Sequence, residues 1–387
     1  MIYLDNAAST LKKPPAVWTA MRWAMSHAAG AGRSAHGPAM TAAEILYDTR
    51  MLAAELFGLS DPCRVIFTQN ATHALNLALA SMGETHRHLA ISPFEHHAVL
   101  RPAVSIAARK HQKLTILHGA LWDDAALLES AEQAIREGAD CFALCHVSNV
   151  FGYVQPLEQL DALLAAHDIP LILDASQSAG VLPIDVSHLH SLAAVCMPGH
   201  KSLYGPTGTG MLLWLTDDPG VPLLHGGTGS QSASFEMPDF FPDRMESGTQ
   251  NIAGIAGLFE GMRFVQKTGT EALLRHERRL CQLAVNRMRD IPGIEMFVSP
   301  DQNRQTAVLS FRSTQLMAET VAQRLAEQHI CVRAGLHCAP LAHRTAGTAE
   351  TGTVRLSPGW FQTERQIIQF CNKLAIISGK ESAQILE

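Results

Sequence analysis

The sequence lacks an excess of basic residues. It has 30 Lys and Arg against 36 Asp and Glu, which gives a net charge of -6 at pH 7. Proteins that bind nucleic acids or anionic membranes through electrostatics carry a basic surface instead. We therefore expect neither a nucleic acid nor a membrane among the partners of this chain.

Long apolar runs and paired cysteines are also missing. The most apolar windows, such as 141–147 and 170–173, are far shorter than the ~20 residues of a membrane-spanning helix. The first residues, MIYLDNAAST, have no basic stretch followed by an apolar run, so we expect no secretory signal. The 8 cysteines are scattered and form no CxxC pair. These absences predict a protein of the reducing cytoplasm, and we assign no metal site.

What the sequence does contain is an ordinary globular composition in a long chain. It has 387 residues, of which 47% are hydrophobic and 17% charged. Between residues 64 and 215, short apolar runs alternate with helical patterns, which is typical of βαβ units on a parallel sheet. A long helix over 254–289 follows, and then strands near 294–298 and 306–311 and helices such as 315–327. We predict an α/β fold with a large domain and a smaller α+β domain.

Within the large domain, the expected strands are 64–68, 89–92, 113–117, 141–147, 170–174 and 193–197, and the expected helices are 71–82, 97–109, 123–137 and 157–167. The Gly- and Ser-rich stretch 225–234 predicts a loop, as does 238–244. Ligands of parallel sheets bind at the carboxyl ends of the strands.

Two charged residues fall at such strand ends. Asp174 closes the apolar run 170–174, where a buried carboxylate needs a charged partner. The protonated ring nitrogen of pyridoxal phosphate is one such partner. Lys201 follows the run 193–197 and could form the Schiff base that anchors this cofactor. Each residue alone has a plainer explanation, because an Asp after a strand often caps a helix and a Lys in a Gly-containing loop is usually solvated.

Further motifs strengthen this hypothesis. They are Tyr3-Leu-Asp-Asn-Ala-Ala8, Gly199-His-Lys201, Glu246-Ser-Gly-Thr249, Arg333-Ala-Gly-Leu-His-Cys338 and Arg355. With these motifs the chain resembles pyridoxal-phosphate enzymes of the class V aminotransferase family, in its cysteine desulfurase and selenocysteine lyase branch. The resemblance implies a homodimer of fold type I with a mostly parallel seven-stranded sheet sandwiched by helices. It places the cofactor-binding domain at 15–260 and the small domain, with Cys338, at 1–14 and 261–387.

The resemblance also implies a phosphate site. The amides of Ala71 and Thr72, at a helix N-terminus, would meet the phosphate, as free N–H groups and the helix dipole favour. The plainer explanation of this turn is that Asn70 or Thr72 caps the helix. His200 would help to hold it, and Thr249 would reach the phosphate of the neighbouring subunit. The sequence departs from many relatives at Pro198, where they have a serine, and at Ser202, which adds a residue after the lysine.

Around the ring, the resemblance assigns His96 of Glu95-His96-His97 to stacking and proton transfer. Asn149 and Gln177 would contact the cofactor, with Asn149 also near the substrate. Turn chemistry after a strand is the plainer explanation for Asn149. A histidine in a chain with 19 of them is more often structural, so His96 depends on the motif.

For the substrate, Cys338 matches the nucleophilic cysteine of the family, and His337 and Arg333 are close in sequence. A thiol has an ordinary pKa of about 8.5, so a nearby cation would help it to ionise. Arg355 would bind the carboxylate of an amino acid through its fork of donors. Arg333 and His36 are further candidates for the substrate side.

The function that follows is a cysteine desulfurase. Lys201 would take the α-proton of L-cysteine, Cys338 would attack its sulfur, and alanine and a persulfide would result. The sulfur would pass to an acceptor protein or a reductant. Alternatives are a selenocysteine lyase, a cysteine sulfinate desulfinase, another class V transaminase, or a cofactor-binding protein without catalysis.

Overall fold

A parallel sheet organises most of the chain. The computed structural model describes residues 1–31 and 34–384. Its strands are β1 (Ile2–Tyr3), β2 (Val65–Thr68), β3 (His88–Ile91), β4 (Lys113–Ile116), β5 (Cys141–Cys145), β6 (Leu171–Asp174), β7 (Leu192–Pro198), β8 (Gly210–Trp214), β9 (Ile294–Phe297), β10 (Leu309–Ser313), β11 (Ile330–Cys331), β12 (Arg333–Gly335) and β13 (Thr353–Leu356).

The helices connect these strands and cover the sheet. They are α1 (Pro15–His27), α2 (Gly37–Phe57), α3 (Ala71–Thr85), α4 (His97–Lys110), α5 (Asp124–Arg136), α6 (Leu157–Ala165), α7 (Ile252–Thr268), α8 (Thr270–Met288), α9 (Ala318–Glu327), α10 (Pro340–Thr345) and α11 (Glu364–Gln384). None of the helices in the described part of the chain is long and apolar enough to cross a membrane.

The central sheet has seven strands in the order β2-β8-β7-β6-β5-β3-β4. Pairs among β3 to β7 are parallel, whereas β8 is antiparallel to both of its neighbours. This confirms the α/β fold with a mostly parallel seven-stranded sheet. Strand β8, a short apolar run that begins at Gly210, is absent from the predicted strands. Because no βαβ unit leads to it, the alternation that revealed the other strands is absent there.

The register of this sheet brings several chain segments to one edge. Asp174 at the end of β6 is level with Cys145 at the end of β5 and with Cys196 of β7. The loops that follow these strands therefore lie side by side. Apolar side chains of both sheet faces pack against the covering helices in two buried clusters, in which Leu173 and Ile172 point to opposite faces.

The predicted single helix over 254–289 is wrong in one respect. The structure divides it into α7 and α8 at Gly269, whose φ of 84° lies in the left-handed region. Glycine enters this region without the steric cost that a Cβ would bring. Gly269 N–H still donates to the Val265 carbonyl at 2.8 Å, so the first helix ends in a regular last turn.

The C-terminal part has its own sheet and core. Strands β12, β13, β10 and β9 form an antiparallel sheet in that order, and β1 pairs in parallel with β11. The start of the chain thus joins the C-terminal part, and Leu4 is buried in the same cluster as Phe311 and Phe370. The predicted domain boundary at residue 260 lies inside α7. The division into domains stays a prediction.

A buried ion pair ties α2 to the segment before α7. Arg50 donates to the two carboxylate oxygens of Glu246 at 2.8 and 2.7 Å, and Glu246 also accepts the N–H of Phe67 in β2. Both side chains are buried. A second pair, between Arg64 and Asp217 at 3.1 Å, lies at the surface.

We predict that Arg50→Ala lowers the free energy of unfolding by about 3–5 kcal/mol, because it leaves the carboxylate of Glu246 buried without its partner. The matched change at the surface pair, Arg64→Ala, should cost about 1 kcal/mol or less. Urea denaturation of both variants measures the two effects. Equal losses would contradict the importance we give to burial.

Candidate functional site

A cavity of about 200 Å³ lies at the carboxyl edge of the sheet. Ten residues that the sequence analysis selected line it: Ala71, Thr72, His96, Asn149, Asp174, Gln177, His200, Lys201, Arg333 and Arg355. Residues from the segment after β1 and from loops of the sheet complete the wall, among them Ala7, Ala8, Asn70, Ser176 and Pro198. Side chains more than 300 positions apart in the sequence thus share one space.

Asp174 and Lys201 carry opposite charges in this cavity. Asp174 is 4% exposed, and burial raises the pKa of its carboxyl group, although the Ser176 N–H donates to Asp174 Oδ1 at 2.9 Å. Burial lowers the pKa of Lys201 to about 8, against the opposing effect of Asp174. The guanidinium groups of Arg355 and Arg333 lower it further. An amine with such a pKa is partly neutral near physiological pH and can act as a nucleophile or a base.

The N-terminus of α3 offers an anion site. Asn70 Oδ1 accepts the His73 N–H at 2.9 Å and so caps the helix. The N–H groups of Ala71 and Thr72 belong to the first turn, where no acceptor exists within the helix. Gly210 of the neighbouring strand lies so close that a Cβ on it would come within 2.8 Å of the Asn70 backbone. The glycine therefore lets this turn sit directly against the sheet.

Two histidines of the cavity are neutral. Burial, with Lys201 nearby, lowers the pKa of His96 to about 3, and the same causes lower the pKa of His200 to about 4. His96 Nδ1 accepts the Ala98 N–H at 3.0 Å, so the proton of the neutral ring is on Nε2. The carbonyl of His200 accepts hydrogen bonds from Ser9, Thr10 and Lys13, which fix the backbone directly before Lys201.

Arg333 and Arg355 lie directly opposite each other on the antiparallel strands β12 and β13. Like charges in this position repel. Arg355 donates from Nη2 to Asp5 Oδ1 at 2.7 Å and from Nη1 to the Asn149 carbonyl at 2.8 Å. Its buried Nε has no hydrogen-bond partner among the described residues. The pair is therefore suited to a further anion.

Cys338 lies beside the cavity on a tight turn. Its exposed thiol is 3.7 Å from Arg333 Nη2. His337 and Cys338 have φ angles of 50° and 57°, in the left-handed region that few non-glycine residues occupy. The turn is held because the His337 carbonyl accepts from Asn149 Nδ2 at 2.9 Å and the Cys338 carbonyl accepts from the His97 N–H at 2.7 Å. The thiol thus has a defined place next to a cation.

Two predicted site residues, Thr249 and His36, are not among the residues that line this cavity. Thr249 lines a second cavity of about 370 Å³ together with Arg50 and Glu246. His36 is exposed at the start of α2, where its Nδ1 accepts the Ala39 N–H at 3.3 Å. Arg33, three positions before His36, lies outside the described residues. The roles of Thr249 and His36 stay predictions.

Several site residues were not selected from the sequence. Asp5 belongs to the first motif of the resemblance, which gives it no role, yet it forms the ion pair with Arg355 across 350 positions. Asn70 enters the prediction only as a helix cap, which its hydrogen bond from the His73 N–H confirms, whereas its place in the cavity wall was not predicted. Nothing in the local sequence indicates the Asp5 pair, because that contact depends on the tertiary fold.

A pyridoxal phosphate group fits the chemistry of this donor set. The cavity has a buried carboxylate, a lysine amine of lowered pKa and a helix N-terminus with free N–H groups. Besides Arg355 Nε, two buried atoms of its wall, Asn149 Oδ1 and His200 Nδ1, have no hydrogen-bond partner within the described residues. In the same part of the chain, no three His, Cys, Asp or Glu side chains are grouped to hold a metal ion.

The fold and the site agree with one family. The sequence pattern of the family described as aminotransferase class V matches residues 2–370. The chain belongs to this family, whose members depend on pyridoxal phosphate.

Individual relatives carry more specific names. The chain is 32% identical over 383 residues to a probable cysteine desulfurase of Mycolicibacterium paratuberculosis, covering 96% of this chain and 54% of that protein. It is 32% identical to one of Pseudomonas putida, covering 96% and 92%. The chain therefore spans about half the length of the first relative. A solved cysteine desulfurase of Thermococcus onnurineus superposes with a TM-score of 0.90 at 28% identity, covering 98% of this chain and 95% of that one.

A buried glutamate below the cavity makes the stability depend on pH. Glu95 is 0% exposed, and its Oε1 accepts from Ser92 Oγ at 2.6 Å and from the Cys145 N–H at 2.7 Å. Burial, with a smaller effect of Asp174, raises the pKa of Glu95 from 4.5 to about 8. Between these values the folded chain holds a proton that the unfolded chain has lost, so Glu95 costs stability as the pH rises through this window.

We predict that the free energy of unfolding of Glu95→Gln, minus that of the unmodified chain, increases as the pH rises from about 5 to about 8. The reason is that glutamine cannot ionise, whereas Glu95 must be kept protonated in the folded chain. Urea denaturation along this series measures the difference. Glu132→Gln, at an exposed position on α5, is the control and should give a small difference at every pH. A constant difference for Glu95→Gln would contradict the raised pKa.

Proposed function

We propose that this chain is a pyridoxal-phosphate-dependent cysteine desulfurase, which converts L-cysteine and the Cys338 thiol into L-alanine and a persulfide on Cys338. The observation that carries the proposal is the exposed Cys338 thiol, 3.7 Å from an arginine that lines the same cavity as Lys201 and Asp174. The names of the relatives support the same reaction.

The cofactor would be held by groups that already converge on the cavity. Lys201 Nζ would attach it, and the Asp174 carboxylate would pair with its protonated ring nitrogen. The N–H groups of Ala71 and Thr72 would receive its phosphate, with the help of His200. His96 would stack on the ring, and Asn149 and Gln177 would contact the cofactor. When bound, the group supplies an electron sink for chemistry at the α-carbon of an amino acid.

The substrate carboxylate binds at Arg355. Burial keeps water away from this guanidinium, which strengthens its charge-assisted hydrogen bonds. Asp5 and the Asn149 carbonyl take one donor each and fix the orientation of the fork. The Nε–H of Arg355, which has no partner among the described residues, is left to donate to the substrate carboxylate. Arg333, directly opposite on β12, adds a second positive charge on the substrate side.

Lys201 transfers the proton and Cys338 transfers the sulfur. Lys201 Nζ, with its pKa lowered to about 8, takes the α-proton of the substrate. Cys338 reacts as a thiolate, which the guanidinium of Arg333 stabilises. Its Sγ forms a bond to the substrate sulfur as the carbon–sulfur bond breaks, and the carbon that loses sulfur gains a proton. The persulfide sulfur then passes to an acceptor protein or a thiol reductant.

We also propose a homodimer, two further residues near the site, a division into two domains and a cellular compartment. Thr249 would reach the phosphate in the neighbouring subunit of a homodimer, and His36 would contribute to the substrate side. Residues 15–260 form the cofactor-binding domain, and 1–14 with 261–387 form the small domain. The protein acts in the cytoplasm.

Lys201→Ala should abolish covalent attachment of the cofactor, because no other amine lines the cavity among the described residues. Borohydride reduction followed by peptide mass spectrometry locates the attached group. The control is Lys13→Arg, at a buried lysine whose Nζ is 3.1 Å from the His200 carbonyl. This variant should still carry the group on Lys201. Attachment at another lysine in the unmodified chain would contradict the assignment.

Cys338→Ala should retain the cofactor and lose sulfur release from L-cysteine by at least about 100-fold, since the nucleophile is gone. Alanine and sulfide are measured in the same samples with a thiol reductant present. Cys63→Ala, at the other exposed cysteine, is the control and should keep full activity.

The outcome with other substrates separates the alternatives. If Cys338→Ala acts on selenocysteine or cysteine sulfinate almost as fast as the unmodified chain does, the result would favour a lyase or desulfinase. A keto acid as product would favour a transaminase. Bound cofactor without turnover of any of these substrates would favour a protein without catalysis.

A further inference from the structure

A line of polar side chains runs beneath the turn that carries Cys338. It consists of His337, His343 and Thr348, which are 3%, 0% and 0% exposed. His337 Nδ1 is 3.5 Å from His343 Nε2, and His343 Nδ1 is 2.7 Å from Thr348 Oγ1. At the other end, His337 Nε2 is 3.3 Å from the Arg333 carbonyl. The two imidazole rings are nearly parallel, at 11°.

The direction of these hydrogen bonds follows from their ends. A carbonyl oxygen can only accept, so His337 Nε2 carries a proton and donates to Arg333. If His337 is neutral, its Nδ1 is an acceptor, and His343 Nε2 must donate to it. His343 Nδ1 then accepts from the Thr348 hydroxyl. The Arg333 carbonyl thereby restricts each ring to one tautomer, and the Thr348 hydroxyl completes the line by donating to His343 Nδ1 at 2.7 Å rather than to the more distant His343 carbonyl at 3.5 Å.

Both rings have the protonation state that this line requires. Burial, with Arg355 close by, lowers the pKa of His337 to about 2, and burial lowers the pKa of His343 to about 4. Phe151 packs against His343 with ring centroids 5.8 Å apart. Thr348 is fixed in turn, because its N–H donates to the His343 carbonyl at 2.8 Å.

The line ends at the residue that meets the thiol. Its last hydrogen bond holds the backbone of Arg333, and the side chain of Arg333 lies beside Cys338 Sγ. We infer that Thr348, acting through His343 and His337, is a positioning residue that holds the guanidinium of Arg333 against the Cys338 thiol. Its consequence for sulfur transfer rests on the proposed function, whereas its consequence for the reactivity of the thiol does not.

The test compares two variants that differ by one hydroxyl group. Thr348→Val removes the hydroxyl at nearly constant shape, and Thr348→Ser keeps it. We expect iodoacetamide to alkylate Cys338 in the full chain near pH 7 about two- to fivefold more slowly in Thr348→Val, because the guanidinium of Arg333 is no longer held against the sulfur that attacks the reagent. Thr348→Ser should react at the original rate. Mass spectrometry of the Cys338 peptide separates this thiol from the other seven.

Thr49→Val is the matched control for loss of a buried hydroxyl, since Thr49 is 0% exposed and its hydroxyl donates within α2, to the Ile45 carbonyl at 2.6 Å. It should leave the alkylation rate unchanged. An unchanged rate in Thr348→Val, an equally slow Thr348→Ser, or an equally slow Thr49→Val would overturn the inference.

A measurement on the unmodified chain stands beside the variants and applies even if Thr348→Val does not fold. Nitrogen-15 NMR of labelled histidines should show both His337 and His343 neutral with the proton on Nε2. A proton on Nδ1 of either ring would overturn the inference. Slower alkylation in Thr348→Val from a chain that yields no alanine and no sulfide would contradict the proposed function and support this inference.

Discussion

Charge buried at the carboxyl edge of the sheet is the constraint on which the site depends. A charged side chain removed from water is costly unless opposite charges or hydrogen bonds compensate it. The charged residues that line the cavity are Asp174, Lys201, Arg333 and Arg355. Only one of these is acidic, and Asp5 forms an ion pair with Arg355. The remaining positive charge suits a phosphate and a carboxylate, so the architecture favours anionic ligands before any residue is assigned a role.

The two sheets meet this constraint in different ways. Parallel strands bring Asp174 and Lys201 together because neighbouring strands end at the same edge. The antiparallel strands β12 and β13 bring Arg333 and Arg355 together through cross-strand register. Two neighbouring cations repel each other in a sheet, but here both Arg333 and Arg355 line the cavity, where an anionic ligand can compensate their charges. The turn with Cys338 follows β12 directly and inherits its position from that strand.

Much of this could be predicted from the sequence. Period and strand length identified β5 and β6, and the buried strand end made Asp174 conspicuous. The break at Gly269 was missed because the apolar pattern continues across it, and β8 because no helix leads to it. The Asp5 pair and the line from Thr348 to Arg333 were out of reach, since each depends on which distant or turned side chains the tertiary fold brings into contact.

The segment after β1 has a consequence for how the molecule is made. Residues 2–10 pair with β11, bond to the backbone of His200 and place Asp5 against Arg355. During synthesis these residues emerge well before their partners at 330–357, which follow more than 300 residues later. The wall of the cavity therefore closes only after the segment through residue 357 has left the ribosome, and a chain that is shorter at its growing end offers no finished site.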